Sequence, residues 1–170
     1  MNIGIDFHDA LSASPKFYKK LISKWEGKVY IITGTPNSKR SETIKQILQL
    51  GIYPRVAGEY PYQYDEILMG FEYKKEEMTM DHFQKMKEHK LKLIQEHNIK
   101  VYFDDNPFYV DYLRNKGVTV FQQILSDQYI DKFSKRDKYF TCHFQEGQFD
   151  YLKDGVVPRV SWSFRLKNND

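Results

Sequence analysis

Three short apolar runs, each closed by a polar residue and a turn, constrain this chain more than any other feature. Ile3 to Asp6 ends on an acid within IGIDFHDALS (Ile3 to Ser12), Val29 to Gly34 (VYIITG) ends on Thr33 and a glycine, and Val101 to Asn106 (VYFDDN) ends on the Asp104–Asp105 pair. Runs of this kind read as strands buried on both faces, the strands of a parallel sheet. Between them, apolar residues recur at helical spacing. Alternating strands and helices define an α/β chain: a three-layer, Rossmann-like parallel sheet with right-handed crossovers and helices on both faces. Ligands of such sheets bind outside the carboxyl ends of the strands, so Asp6, Thr33, Asp104 and Asp105 are expected at one edge.

The helices have readable limits. Ser14 and Pro15 open the first, with Phe17, Leu21 and Trp25, and Tyr18 and Ile22 beside them, at helical spacing before Gly27. The polar loop TPNSKRS leads to Ile44, Ile47 and Leu48 and a stop at Gly51. Ile52 to Glu77, which contains YPYQYDEILMGFEY, has room for one or two short strands that the pattern does not locate. Thr79 is a candidate N-cap for a helix with Met80, Phe83, Met86, Leu93 and Ile94 as its apolar positions. Pro107 opens another, with Tyr109, Val110 and Leu113 inward; Gly117 ends it, and Val118 to Phe121 is the next strand. Further on, KYFTCHF and VVPRVSWSFRL read as short strands around turns at Gly147 and Gly155. The chain is thus expected as a core domain over residues 1–123 and a short C-terminal extension with β-structure, packed on the core, over 124–170.

Composition narrows the class. At 170 residues the chain suits one domain that buries about 70% of its unfolded surface without disulfides. A formal charge of +3 demands neither nucleic acid nor membrane as a partner, although nucleic acid stays open through a local basic patch. Cys142 is the single cysteine, as expected of a reduced, cytoplasmic protein. With Asp6, His8 and Asp9 so early, the N-terminal segment reads as neither an apolar leader nor a transit peptide. No run approaches the roughly 20 apolar residues that span a bilayer.

Asp6, Thr33, Lys90 and the Asp104–Asp105 pair, in this order and element context, resemble the four motifs of the haloacid dehalogenase-like (HAD) hydrolases over roughly the first 120 residues. The resemblance implies a phosphohydrolase in which Asp6 attacks phosphorus and forms an aspartyl-phosphate. It implies Mg²⁺ held by Asp6 and Asp104, with Asp105 a water-mediated ligand or a support, and with the backbone carbonyl of His8 as a further ligand. Thr33, with the N–H of Gly34, would take a phosphate oxygen, and Lys90 would hold the phosphate and Asp6 together. Lys92 is the rival within HKLK, but the spacing from Lys90 to the Asp pair is closer to the family's habit.

His8 departs from the family pattern, which usually has a second Asp there. An imidazole of ordinary pKa, near 6.5, could protonate the leaving oxygen and then activate water. Asp9 is the rival acid, although its side chain should point away from that of His8 if the strand continues. Plainer readings exist: Asp6 capping a turn, Asp104 and Asp105 as a solvated acidic turn before Pro107. His82 and His89, seven residues apart, and the run Lys85, Lys87, Lys90, Lys92 read as a solvated helix face beside which an anionic substrate could be steered.

No large cap is expected. Only 26 residues separate Asp6 from Thr33, and the 56 between Thr33 and Lys90 leave room for a small lid at most. The expected function is a Mg²⁺-dependent phosphatase acting on a phosphorylated substrate of unknown size: a nucleotide, a nucleic-acid end or a phosphoprotein. The alternative is a non-catalytic HAD-like scaffold that binds phosphate or a partner protein. The sequence is silent on oligomeric state.

Overall fold

β1 (Asn2–Asp6) is the middle strand of a five-stranded parallel sheet, and each neighbour comes from a different half of the chain. The structure, a computed structural model, describes residues 1–74 and 80–123. In chain order the elements are β1, α1 (Pro15–Lys24), β2 (Val29–Pro36), α2 (Arg40–Gln49), β3 (Tyr53–Pro54), β4 (Gln63–Tyr64), β5 (Glu66–Gly70), α3 (Met80–Glu96), β6 (Ile99–Asp104), α4 (Pro107–Asn115) and β7 (Thr119–Gln122). The sheet runs β5-β2-β1-β6-β7, while β3 and β4 form a separate parallel pair. Strand order therefore reverses at β1, where chain from both sides of the sheet meets at the carboxyl edge.

Alternation along the strands divides the core into two layers. Ile3, Ile5, Val29, Ile31 and Ile67 pack with Tyr18 and Ile22 of α1 and Ile47 of α2. Tyr30, Ile32, Leu68 and Tyr102 pack on the other face with Ile94 of α3 and Leu113 of α4. The sheet is thus flanked by helices on both faces, a Rossmann-like α/β arrangement. Two glycines set spacing near the site. A side chain on Gly4 would meet the Tyr102 ring at 3.0 Å, so its absence lets that ring lie across β1. Gly70 sits against the Gly34 carbonyl, too close for any side chain, where the β2–β5 register shifts.

Some expectations change. EILMG within the unlocated stretch is β5, a full member of the sheet. On α1 the inward stripe is Tyr18 and Ile22, with Leu21 and Trp25 partly buried, whereas Phe17 is 57% exposed. On α2, Thr43 and Ile47 are buried and Leu48 is exposed. Among the described residues the connections hold no cap domain, only helices, short turns and the β3–β4 pair. The expected extension over 124–170 and the Thr79 cap lie outside the described residues. No helix among the described residues is long and apolar enough to cross a membrane.

Candidate active site

Lys90 reaches from α3 to the carboxyl edge of the sheet and ties two strands together. Its Nζ donates to Asp6 Oδ1 at 2.6 Å and to Asp104 Oδ2 at 2.7 Å, and all three residues are buried. The rings of Tyr109 and Tyr102 lie 4.2 and 5.6 Å from the ammonium, favourable positions for a desolvated cation. Tyr102 Oη donates to Asp6 Oδ1 at 3.2 Å. Asp104 Oδ1 accepts the Asn106 N–H at 2.9 Å, and Asn106 Oδ1 caps α4 through the Phe108 N–H at 3.0 Å. Burial alone would lower the Lys90 pKa, but Asp104 and Asp6 outweigh it and hold the pKa above its usual value. Lys92 lies outside this group, exposed, with its ammonium 3.8 Å from Glu96.

After Asp6 the chain leaves the strand in one tight turn, Phe7–Leu11, closed by Ser12 N–H to the Phe7 carbonyl at 2.9 Å. His8 is extended there (φ −77, ψ 136), and Asp9 is left-handed (φ 59, ψ −9). The strand does not continue through His8, so strand alternation cannot turn Asp9 away from the site. Asp9 is buried, and its charge is one of those raising the pKa values of Asp6 and Asp105. His8 is exposed, with Nδ1 at 3.2 Å from Thr33 Oγ1. The Thr33 hydroxyl donates to Thr35 Oγ1 at 3.0 Å and accepts the Thr35 N–H at 3.1 Å.

Desolvation, and then the Lys90 charge, push the His8 imidazole down to about 4. Water at the exposed ring offsets part of that desolvation, so the direction is what the site sets: a ring that is neutral at pH 7. The neutral ring accepts a proton, which suits activation of water. It is the wrong form for protonating a leaving group, so the dual role expected of an ordinary imidazole is halved.

Asp6, Asp104 and Asp105 each offer a carboxylate oxygen, all within 4.8 Å of one another. Asp6 Oδ2 and the half-buried Asp105 carboxylate have no hydrogen bond among the described residues. Burial raises the Asp6 pKa to about 7, with Lys90 opposing and Asp104 and Asp9 adding to the rise. Asp105 is raised well above the usual carboxylate range by burial, Asp104, Asp9 and Asp6. Crowded oxygen donors with spare lone pairs fit a hard divalent cation. Of the paired acids, Asp104 is already committed to Lys90 and Asn106, which leaves Asp105 as the freer donor.

This electrostatic crowding predicts a pH-dependent response to Mg²⁺. Because the folded pKa of Asp6 lies above its ordinary value of 3.8, its contribution to stability is full below that value. It is lost as pH rises through about 7. A cation on the ionised oxygens acts in the opposite sense, adding about 2.7 kcal/mol at a hundredfold excess over Kd. Thermal melts should therefore show a larger Tm gain from Mg²⁺ at pH 8 than at pH 5. Equal gains at both would leave the carboxylates without a cation role.

The structure thus brings Asp6, His8, Thr33, Lys90, Asp104 and Asp105 to one edge, with Gly34 beside Thr33 on β2. Three partners escaped sequence reasoning: Tyr102, Tyr109 and Thr35. Tyr102 and Thr35 each lie two residues from a site residue along a strand, a spacing that puts side chains on one face. The helix histidines also differ from expectation. His82 is buried with its ring 4.3 Å from that of Tyr73, and His89 Nε2 is 3.0 Å from the Met69 carbonyl. Nor is the basic run one solvated face, since Lys90 is buried and Lys87 lies over the Phe108 and Tyr112 rings. No protein-family model, curated protein or solved structure matches the chain.

Proposed function

We propose that this protein is a Mg²⁺-dependent phosphohydrolase of the HAD-like type, working through an aspartyl-phosphate on Asp6. The observation that carries this reading is the buried Lys90 bridge between Asp6 and Asp104 at the carboxyl ends of adjacent strands. A purely structural acid at a turn has no need of a buried cation and two further acids around it.

In this mechanism Asp6 Oδ2, which has no hydrogen bond, attacks phosphorus while Lys90 holds Oδ1 and offsets the negative charge brought together in the transition state. Thr33 Oγ1 and the Gly34 N–H receive a non-bridging phosphate oxygen. Mg²⁺, held by Asp6, Asp104 or Asp105 and the His8 carbonyl, would neutralise charge shared by the carboxylates and the phosphate. In the second half, His8 accepts a proton from the water that cleaves the phosphorus–oxygen bond to Asp6, which restores the carboxylate and releases inorganic phosphate. Because neutral His8 has no proton to give, substrates whose leaving group departs as a stable anion are favoured: aryl or acyl phosphates over alkyl phosphates.

The test is hydrolysis of a generic aryl phosphate and an alkyl phosphate, each with and without Mg²⁺. Mg²⁺-dependent turnover, faster for the aryl ester, is expected. The second reading, a phosphate- or partner-binding scaffold, is favoured by the neutral imidazole where the family carries an acid. It takes over if the natural protein is inert and His8→Asp gains phosphatase activity.

A further inference from the structure

The hydrogen bonds around Thr33 allow a proton inventory. A hydroxyl has one proton to give and two lone pairs to receive with. Thr33 Oγ1 gives its proton to Thr35 Oγ1 at 3.0 Å and receives the Thr35 N–H at 3.1 Å. The remaining neighbour is His8 Nδ1 at 3.2 Å, and the one capacity left on Thr33 is a lone pair. His8 Nδ1 must then be the donor. In a neutral ring that leaves Nε2 without a proton and with its lone pair available.

We infer that Thr35 is a positioning residue: by taking the Thr33 proton it fixes His8 as the Nδ1–H tautomer, so that Nε2 is the proton acceptor the ring presents. The arrangement survives ligand binding. When an anionic oxygen arrives at Thr33, the hydroxyl proton turns from Thr35 to the anion, while Thr33 still receives from Thr35 N–H and from His8 Nδ1–H. What the acceptor does in turnover rests on the phosphohydrolase reading; the proton order does not.

The test is ¹⁵N NMR of the His8 ring in the full-length, substrate-free protein at pH 8, with His8→Gln used to assign the signal. Expected are Nδ1 at the shift of a protonated nitrogen and Nε2 at that of a lone-pair nitrogen. Thr35→Val keeps the shape but removes the acceptor, so the Thr33 proton turns to His8 Nδ1 and the ring changes to Nε2–H. Thr35→Ser restores Nδ1–H. An Nε2–H ring in the natural protein overturns the inference without any variant, and so does an Nδ1–H ring unchanged by Thr35→Val. If the Val variant does not fold, Thr35→Ala makes the same deletion.

Turnover measured on the same samples is a separate reading. An inert protein with an Nδ1–H ring sinks the phosphohydrolase and leaves the inference standing. An active protein with an Nε2–H ring does the reverse.

Discussion

Asp6→Asn should remove turnover while the protein keeps its fold. The amide is nearly isosteric, and its oxygen still accepts the hydrogen bonds that Lys90 and Tyr102 make to Asp6 Oδ1. It is not a nucleophile towards phosphorus, so the covalent route closes and the rate should fall by on the order of 10⁴ or more. The substitution also removes one charge from a crowd of carboxylates that already raises the Asp6 pKa to about 7. Stability should therefore hold or rise, and the Mg²⁺-induced gain in Tm should shrink. Steady-state rates beside thermal melts decide the matter: a folded variant with parental activity would remove Asp6 from the mechanism, and the aspartyl-phosphate with it.

Lys90→Met should have the largest effect on stability of any single change in the site. Methionine fills much of the same volume but leaves Asp6 and Asp104 buried without their shared cation, and losing one partner of a buried pair costs about 3–5 kcal/mol. The penalty depends on the carboxylates being charged, so it should be greatest above pH 7 and ease as the acids protonate. Urea melts of the parent and variant at pH 5 and pH 8 measure both the loss and its pH dependence. A variant as stable as the parent at pH 8 would mean that the acids sit there protonated and that the bridge contributes nothing.

The parts of this protein that could be read from its sequence are those where a local pattern and the tertiary environment agree. β1, β2 and β6 were legible because each is an apolar run ending in a residue with a polar task, and the order of those runs gave the edge on which they meet. β5 was not, because its core is only Ile67, Leu68 and Met69, with one β-branched residue, next to a tyrosine- and proline-rich stretch that suggests turns. Phe17 misled for a different reason. Neighbouring stripes of one helix are equally apolar in sequence, and only packing chooses between them; Tyr18 is the buried one, its ring 5.8 Å from Phe103. In the site, the acids and Lys90 were visible by type and order. The lowered proton affinity of His8 was not, since it arises from a lysine 82 positions away in the chain that only the fold brings near.

That separation has a consequence for how the site comes into being. Lys90 and Tyr102 reach Asp6 from 84 and 96 positions further along the chain. Contacts of such span form late, because the entropy of closing a long loop must be met before they return any stabilisation. A chain emerging from its N-terminus has β1 and β2 in hand well before α3 and β6 exist. During that interval Asp6 has neither its cation nor its cover, and the half-sheet that carries it ends at β1 with an open edge. Chemistry at Asp6 is thereby tied to the completion of folding: the second half must dock on the first before the carboxylate has anything to work with.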